Sequence, residues 1–513
     1  MRDAILASLA ARRLLAPPFS MAKLLTHSAA QNPDAIWLEG KDGSWTYDEG
    51  LAAARSLGTI LIRQGVRPGD RVAMCMANSP ATAIALHAIW QAGAVPALLH
   101  PAYAPDIQRA QIQLVSPRLL IGNNERAEQL AEETRTRFLQ LEERPPADAD
   151  SLAMPAVEPS VDELALLQFT GGTTGAPKAA MLTHGNLSAG LAQIALALPT
   201  LSADEECSVA IAPFSHITGL NGVLGLMTYL RGRLIVPPPA PSGLANACVD
   251  ANATYLAGPP TVLTALVQAQ EAGGLAYRLR NVIAGGAPLP ADVKKRFEEA
   301  TGATVFDGYG LSETAPAVSL GGQLVAATSV EIRSPDNGAP LPYGSIGEIC
   351  VSGPQVMQGY WRNEEASAAV LCDGLLHTGD LGVLDGNGRL AVVDRLKEII
   401  IASGYNVYPS RVEDAISSHP AVLEAAVVGL PDVYRGETVV AAVALCGDAE
   451  LDMEDLTAFL SGRLSPMEMP RRLVIWEELP KSPAGKILRR SVRAGMEDAE
   501  KEYGHRHGTR ATG

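Results

Sequence analysis

The chain has 513 residues, more than a single hydrophobic core normally contains, so we expect two or more domains. Its 47% hydrophobic and 19% charged residues are typical of a globular protein, and a formal net charge of −15 without a long basic block argues against nucleic-acid binding. No apolar run reaches the roughly 20 residues of a membrane span, and six scattered cysteines without C-x-x-C spacing indicate reduced thiols and a cytoplasmic location.

The N-terminal segment, residues 1–20, is rich in Ala, Leu and Arg, and Asp3 is its single acid. Organelle-targeting segments share this bias, but they are also rich in serine, and here Pro17 and Pro18 interrupt the stretch. We expect no signal peptide. Of the two remaining alternatives, a targeting segment or a poorly ordered N-terminal stretch, we expect the second.

Strand and helix patterns alternate from there through about the first four hundred residues. Thr46 and Glu49 form a capping-box pattern that opens a helix, Val72–Met76 is typical of a buried strand, and Ala81–Gln91 is typical of an apolar helix. This alternation predicts an α/β fold of mostly parallel sheets flanked by helices, with ligands at the carboxyl ends of the strands.

A loop rich in glycine and threonine follows the predicted strand Leu164–Leu167. Residues 170–178 contain three glycines, three threonines and Lys178. Glycine lets main-chain N–H groups approach an anion closely, hydroxyls add donors, and a lysine adds a point charge, so this loop is suited to polyphosphate. It is not a Walker A loop, because no Gly-Lys-Ser/Thr sequence ends it and Pro177 precedes the lysine. Taken alone, the loop could equally be a flexible surface turn.

Two later segments also follow predicted strands. Gly286 and Ala287 come after Val282–Ala284, and their small size leaves room for a flat ring against the backbone, although strand-to-helix turns often look the same. Residues 307–314 follow the predicted strand Thr304–Phe306. In that segment Tyr309 offers an aromatic face, Ser312 a hydroxyl for phosphate, and Glu313 a hard oxygen ligand for Mg²⁺.

Charged residues in three further places are candidates for nucleotide contacts. Asp380 can accept both hydroxyls of a ribose, and Arg395 can support the same sugar. Lys486 follows a loop rich in Pro and Gly that would let it move into a site formed elsewhere. The alternatives are a turn aspartate, a surface arginine and a basic tail segment.

The character of the chain changes after about Arg395. Four predicted strands and two predicted helices indicate a small α+β module; the strands are Glu398–Ile401, Ala425–Val428, Thr438–Leu445 and Leu473–Trp476, and the helices are Arg411–Ser417 and Asp455–Leu464. We therefore expect an N-terminal domain over residues 1–396 and a C-terminal domain over 397–513. From about Arg493 the sequence is polar without a hydrophobic period and predicts disorder.

In this order and at these intervals, the motifs resemble those of the adenylate-forming superfamily of acyl-CoA synthetases, luciferases and adenylation domains. Bacterial fatty-acid and aryl-acid CoA ligases are the most similar group, and the resemblance covers residues 22–492. Five motifs carry it: the loop at 170–178, Gly308-Tyr-Gly-Leu-Ser-Glu-Thr314, His377-Thr-Gly-Asp-Leu381, Val393-Asp-Arg-Leu-Lys397 and Pro483-Ala-Gly-Lys-Ile-Leu-Arg489.

The resemblance implies a large α/β domain, a small mobile α+β domain and an ATP-dependent acid–thiol ligase. A hydrophobic, fatty-acid-like carboxylate would attack Mg·ATP to give acyl-AMP and pyrophosphate, and coenzyme A would then take the acyl group. The residues that it assigns to ATP or AMP are Thr170, Gly171, Gly172, Thr173, Thr174, Gly175, Lys178, Gly286, Ala287, Asp307, Gly308, Tyr309, Gly310, Ser312, Asp380, Arg395 and Lys486.

The resemblance also implies special roles for a few residues. Lys486, His216 and Glu313 would be catalytic, with Thr174 and Glu313 as ligands of Mg²⁺. Lys397 would be the hinge of the small domain, and Gly404 would line the tunnel for CoA.

One departure from the family pattern and several alternatives stay open. The stretch Ala315–Val330 is shorter than is usual in the family, which leaves the shape of the acyl pocket open. Phe214–Ile217 lacks the aspartate that amino-acid-activating relatives use, so amino acids are disfavoured. An acyl carrier protein as acceptor, a degenerate nucleotide-binding homologue and a homodimer are the alternatives that the sequence leaves.

Overall fold

A computed structural model describes residues 2–145, 157–170, 177–237, 243–287, 289–432, 435–482 and 487–497. The chain forms two compact units. The first comprises Met1–Leu289, Val293–Val330 and Val351–His377, and the second comprises Pro290–Asp292, Glu331–Cys350 and Thr378–Gly513. The α/β class, with a large unit of parallel sheet and helices and a smaller C-terminal unit, confirms the predicted fold. The domain boundary between residues 396 and 397 stays a prediction.

Helices and strands alternate along most of the chain before residue 400. The helices there are α1 (Arg2–Ala11), α2 (Ala22–Gln31), α3 (Tyr47–Arg63), α4 (Pro80–Gln91), α5 (Pro105–Val115), α6 (Glu125–Thr134), α7 (His184–Ala197), a π-helix (Thr218–Gly225), α8 (Leu226–Leu230), α9 (Leu244–Asp250), α10 (Pro260–Gly273), α11 (Ala291–Thr301), a 3₁₀ helix (Ser312–Thr314), α12 (Glu364–Ala368) and a 3₁₀ helix (Leu396–Glu398). The strands are β1 (Ile36–Gly40), β2 (Gly43–Thr46), β3 (Arg71–Cys75), β4 (Val95–Leu99), β5 (Leu119–Gly122), β6 (Phe138–Gln140), β7 (Leu164–Thr170), β8 (Lys178–Thr183), β9 (Cys207–Val209), β10 (Arg233–Ile235), β11 (Tyr255–Gly258), β12 (Asn281–Gly285), β13 (Thr304–Gly310), β14 (Ala317–Leu320), β15 (Gln323–Leu324), β16 (Ser329–Arg333), β17 (Gly347–Ser352), β18 (Leu371–Cys372), β19 (Leu375–Leu384) and β20 (Leu390–Arg395).

Three sheets organise the first unit. The largest has nine strands in the order β15-β14-β13-β12-β11-β9-β10-β1-β2, and its six central strands from β13 to β1 run parallel. A four-stranded sheet, β4-β3-β5-β6, is wholly parallel, and β7 and β8 form an antiparallel pair. Parallel strands need helical crossovers, which is why the alternation read from the sequence leads to this architecture.

The predicted capping box is present at the start of α3. The Thr46 hydroxyl accepts a hydrogen bond from the Glu49 N–H at 3.2 Å, and the Glu49 carboxylate accepts one from the Thr46 N–H at 2.9 Å. These two bonds satisfy donors that the first turn of a helix otherwise leaves unpaired. Leu57 and Leu61, at helical spacing, face the core.

The N-terminal segment is docked on the first unit. The buried guanidinium of Arg231 makes a bidentate ion pair with Asp204, with N–O distances of 2.6 and 2.9 Å, and donates to the carbonyl oxygens of Arg12 and Arg13. Phe19 is buried as well. The expectation that residues 1–20 are poorly ordered is therefore wrong for this docked part, because a contact more than two hundred residues away along the chain fixes it.

The second unit contains the predicted small α+β module. Its further elements are β21 (Ile400–Ala402), β22 (Tyr405–Val407), α13 (Pro409–Ser417), β23 (Val422–Asp432), β24 (Gly436–Leu445), α14 (Met453–Leu460) and β25 (Arg472–Trp476). The sheet order is β22-β21-β24-β23, and β25 pairs with β24 in parallel. Residues 489–497 are helical and Met496 is buried, so the disorder expected from about Arg493 does not begin there. Residues 498–513 lie outside the described part of the chain.

Along the described ranges, no helix combines the length and the apolar character that crossing a bilayer requires.

The histidine in the centre of α4 leads to a prediction about acid stability. The His87 ring lies edge-on between Trp37 and Trp90, at centroid distances of 5.4 and 5.3 Å, and within the described residues neither of its nitrogens has a hydrogen-bond partner. Burial lowers the pKa of His87 from its ordinary value of 6.5 to about 3. Between these two pKa values the unfolded chain binds a proton that the folded chain does not, so stability falls as the pH falls.

We therefore expect His87→Leu to flatten the pH dependence of the free energy of unfolding. The slope should decrease by about 1.4 kcal/mol per pH unit between about pH 6 and pH 4. Urea unfolding of the wild type and the variant across this range measures the change. Above about pH 7 the two curves should run parallel, because His87 is then neutral in both the folded and the unfolded chain. Parallel curves over the whole range would contradict the prediction.

Candidate functional site

Thr170 and Lys178 face each other where β7 and β8 meet the glycine–threonine loop. In the register of this hairpin, Thr170 pairs with Lys178 and Gln168 pairs with Ala180. The first strand therefore extends three residues beyond the predicted Leu164–Leu167 and includes Thr170. Five other predicted phosphate ligands lie outside the described residues: Gly171, Gly172, Thr173, Thr174 and Gly175.

Lys178 and Glu313 meet through a tyrosine that the sequence interpretation did not include. The ammonium group of Lys178 lies 5.0 Å from the centroid of the Tyr360 ring. The Tyr360 hydroxyl donates a hydrogen bond of 2.7 Å to Oε1 of Glu313, and both residues are buried. Burial and the adjacent carboxylate raise the pKa of the Tyr360 phenol well above its ordinary value, so it remains a donor. The only sequence signal for this residue is the aromatic pair Tyr360-Trp361.

The segment that carries Tyr360 is fixed by main-chain hydrogen bonds along β8. The N–H of Met181 donates to the Gly359 carbonyl at 2.8 Å, and the N–H groups of Gln358 and Trp361 donate to the carbonyls of Met181 and Ala179. Residues 358–361 therefore bond to the free edge of β8, where Tyr360 forms an antiparallel bridge with Ala180.

The turn that contains Ser312 and Glu313 is held from both sides. The Thr314 hydroxyl accepts from the Leu311 N–H at 2.9 Å, and the buried Asn221 side chain, in the π-helix, donates to the carbonyl of Ala315 at 2.8 Å. Ser312 is half-buried at the start of this turn, and Glu313 lies on its buried side. These bonds fix the backbone from which the Glu313 side chain projects.

The residues predicted to contact adenine lie on neighbouring parallel strands. In the register of β12 and β13, Ala284 pairs with Asp307 and Gly285 with Gly308, so Gly286 and Ala287 follow directly beside residues 307–310. Asp307, Gly308, Tyr309 and Gly310 belong to β13, which is longer than the predicted strand Thr304–Phe306. Antiparallel pairing with β14 keeps them extended. The stretch Ala315–Val330 contains the β14–β15 hairpin.

His216 lies on a segment that two side chains fix. Asn78 accepts a hydrogen bond from the Phe214 N–H at 2.7 Å, and Gln168, on β7, donates to the Ser215 carbonyl at 2.9 Å. Nδ1 of His216 accepts from the Thr218 N–H at 3.3 Å, which leaves the ring proton on Nε2. Burial, with a smaller contribution from His100, lowers the pKa of the His216 imidazole, so the ring is neutral at pH 7.

Within the second unit, the predicted ribose ligands form a cross-strand pair. Asp380 on β19 lies opposite Arg395 on β20, and the Arg395 Nε is 2.9 Å from Oδ1 of Asp380. Asp380 is buried, whereas the Arg395 side chain is 41% exposed, so the pair presents a partly open edge. Lys397 lies just beyond β20 and is exposed, and Gly404 occupies the turn between β21 and β22 with a φ of 80°.

Lys486 lies outside the described residues, but the chain on both sides of it is held. Lys481 forms an antiparallel bridge with Ile487. Arg489 donates to Oε1 of Glu413 at 2.7 Å and to Oδ1 of Asp394 at 3.1 Å. Arg489 is a second residue that the sequence interpretation left without a role.

Two family models match the chain. One, described as AMP-binding enzyme, matches residues 25–361, and the other, described as AMP-binding enzyme C-terminal domain, matches residues 411–486. A long-chain-fatty-acid–CoA ligase of Bacillus subtilis is 33% identical over 93% of this chain and 94% of its own length. A feruloyl-CoA synthase of Amycolatopsis sp. is 36% identical over 91% of this chain and 96% of its own length.

Solved structures agree with these matches. ATP-bound MatB from Rhodopseudomonas palustris superimposes with a TM-score of 0.84 at 28% identity, covering 93% of this chain and 99% of that one. The o-succinylbenzoate CoA synthetase MenE from Bacillus subtilis, in complex with its acyl-adenylate intermediate, gives a TM-score of 0.82 at 26% identity with the same coverage.

The close approach of β13 to the turn after Glu313 predicts a requirement for glycine at position 310. A Cβ atom on Gly310 would lie 1.8 Å from the carbonyl oxygen of Pro316, so the backbone segments at residues 310 and 316 would have to move apart. We expect Gly310→Ala to lower the free energy of unfolding by about 1–3 kcal/mol, measured by urea unfolding. Gly222→Ala is the matched control, because its Cβ would have no neighbour closer than 3.7 Å. Equal stability of the two variants would show that the contact is not restrictive.

Proposed function

The chain belongs to the family of AMP-binding enzymes and is an AMP-forming acyl-CoA synthetase, and from this premise we propose that its acid substrate is a hydrophobic monocarboxylic acid of the fatty-acid type. The acid is activated as acyl-AMP with release of pyrophosphate, and the thiol of coenzyme A then displaces AMP to form the acyl-CoA thioester. The reducing setting that the cysteines indicate supports a cytoplasmic enzyme.

The observation that carries this proposal is the chemistry of residues 213–219. All seven residues are described, and none of them is charged at pH 7, because His216 is neutral. Phe214 and Ile217 are buried in this segment. A substrate with an ammonium group or a second carboxylate would therefore meet no opposite charge here, and an unpaired buried charge is costly. An apolar acid has no such penalty.

In the first step the acid carboxylate attacks the α-phosphorus of Mg·ATP, so one anion must approach another. We assign Lys178 and the threonine–glycine loop, with Thr170 and Thr174, to the β- and γ-phosphates of the leaving pyrophosphate. Glu313 suits Mg²⁺ because it is a buried carboxylate that a neutral hydroxyl orients without cancelling its charge. Mg²⁺, held by Glu313 and Thr174, would screen the phosphate charge.

The remaining residues divide between nucleotide recognition and catalysis. Gly286, Ala287 and residues 307–310 form the adenine wall, Ser312 contacts the α-phosphate, and Asp380 with Arg395 binds the ribose. His216 donates from Nε2 to the acid carboxylate. Lys486 stabilises the charge that develops between the carboxylate and the α-phosphate.

The second step is assigned to a different arrangement of the C-terminal domain. Lys397 serves as the hinge, where a few backbone dihedrals absorb the rotation, and Gly404 leaves room for the pantetheine thiol of CoA. The degenerate homologue considered from the sequence is set aside, because the chain is an acyl-CoA synthetase.

A panel of acids tests the substrate proposal. Medium- and long-chain fatty acids and apolar aryl acids should release pyrophosphate with ATP and Mg²⁺ and should give CoA thioesters. Amino acids and dicarboxylic acids should show a kcat/KM lower by at least about 100-fold, because their second charge stays unpaired. A higher kcat/KM for any amino acid or dicarboxylic acid would overturn the proposal. Acyl-AMP without a CoA thioester would identify a carrier-protein thiol as the acceptor.

Replacement of Lys486 tests the division between the two steps. We expect Lys486→Ala to slow acyl-adenylate formation by about 100-fold or more, because it removes a charge that acts in that transition state. Thioester formation from supplied acyl-AMP should change by less than about threefold, since that step does not use the lysine. Lys295→Ala, at an exposed position of α11, is the control for loss of a surface charge. An equal loss in both steps would contradict the assignment.

A further inference from the structure

We propose that Tyr360 is a positioning residue of the first half-reaction, which sets the direction of the Glu313 carboxylate through its hydroxyl and the place of the Lys178 ammonium through its ring. The inference rests on the proposed function, in which Glu313 faces Mg²⁺ and Lys178 faces the β- and γ-phosphates. The Tyr360 side chain contacts both charged groups: its hydroxyl is 2.7 Å from Oε1 of Glu313, and its ring centroid is 5.0 Å from the Lys178 ammonium.

The hydroxyl contact orients the carboxylate and preserves its charge. An arginine or a lysine in this place would also hold Glu313, but it would neutralise the negative charge that a divalent cation needs. A phenol donates one hydrogen bond and carries no charge. The tyrosine therefore fixes one oxygen of Glu313 while the group stays anionic.

The ring contact likewise positions Lys178 without neutralising its positive charge. A carboxylate partner would hold Lys178 firmly but would compete with phosphate for its ammonium group. Among the described residues Lys178 forms no ion pair, and the face of Tyr360 attracts the ammonium through the ring quadrupole. The lysine thus keeps its net charge available for an anionic ligand.

Main-chain hydrogen bonds fix Tyr360 relative to both partners. The chain on either side of it is bonded to β8, the strand that begins with Lys178. Three residues earlier, the N–H of Met357 donates to the carbonyl of Glu313 at 2.9 Å. The N–H of Tyr360 itself donates to the Ser367 hydroxyl at 2.8 Å. The backbone that carries the Tyr360 ring is therefore tied to the backbone that carries the two charged groups.

Two substitutions separate the contacts. Tyr360→Phe keeps the ring and removes the hydroxyl, whereas Tyr360→Leu removes both. Acid-dependent exchange of labelled pyrophosphate into ATP is measured while Mg²⁺ and ATP are varied independently. Tyr360→Phe should raise the Mg²⁺ concentration for half-maximal rate by about tenfold, the effect expected for loss of a hydrogen bond to a charged group. Its KM for ATP at saturating Mg²⁺ should change by less than about twofold.

Tyr360→Leu should raise both quantities, with an increase of about three- to fivefold in KM for ATP from loss of the cation–π contact. Tyr343→Phe, at a side chain that is 71% exposed, is the matched control and should match the wild type. In a Glu313→Gln background, Tyr360→Phe should no longer shift the Mg²⁺ dependence, which a purely structural role of the tyrosine would not predict.

The outcomes distinguish this proposal from the proposed function. If no acid supports exchange by the wild type, the substrate proposal fails, and the same comparison is made on the Mg²⁺ dependence of the thermal shift that ATP produces. Wild-type Mg²⁺ dependence in Tyr360→Phe would overturn the role of the hydroxyl. Identical effects of Tyr360→Phe and Tyr360→Leu would overturn the role of the ring. If Tyr360→Leu does not fold, Tyr360→Phe and the Glu313→Gln background decide.

Discussion

The pairing of β8 on both of its edges is the interaction on which the phosphate side of this structure depends. β7 bonds to one edge and places Thr170 opposite Lys178, while residues 358–361 bond to the other edge and place Tyr360 over the same lysine. Main-chain hydrogen bonds in a strand leave little freedom for a shift of register, since a slip of one residue would turn every side chain to the opposite face. The main-chain hydrogen bonds of β8 therefore fix the positions of Thr170, Lys178 and Tyr360 relative to one another.

Arg489 is the centre of a second cluster of charged side chains, which lies in the C-terminal unit. Burial alone would lower the pKa of Arg489, but the carboxylates of Glu413, Asp394 and Glu398 raise it above its ordinary value. Such a buried network contributes little net stability compared with apolar packing, because desolvation offsets the attraction. Its effect is to fix geometry: it joins the end of β20, the start of α13 and the segment after Lys486 at one guanidinium.

Local signals in the sequence predicted part of this site, and the part they missed is non-local. The capping box at Thr46 depends on the short-range pattern of a helix start. Asp380 and Arg395, which the sequence analysis assigned to one ribose, lie opposite each other in a hairpin. Tyr360 meets Glu313 across 47 positions, and Arg231 holds Arg13 across 218, and no periodicity encodes such contacts. The predicted strand ended at Phe306, before the glycines at 308 and 310, but pairing with β14 keeps these glycines in β13.

The bond between Gln168 and the Ser215 carbonyl has an evolutionary consequence. It ties the strand that leads to the phosphate loop to the segment that bears His216, and it does so through an acceptor that every amino acid possesses. Side chains at positions 213–217 can therefore be exchanged while the tether persists. Substitutions at positions 213–217 can therefore change which acid is preferred while the strand that leads to the phosphate loop stays in place. New acid substrates can evolve in this way without changes to the residues that bind ATP.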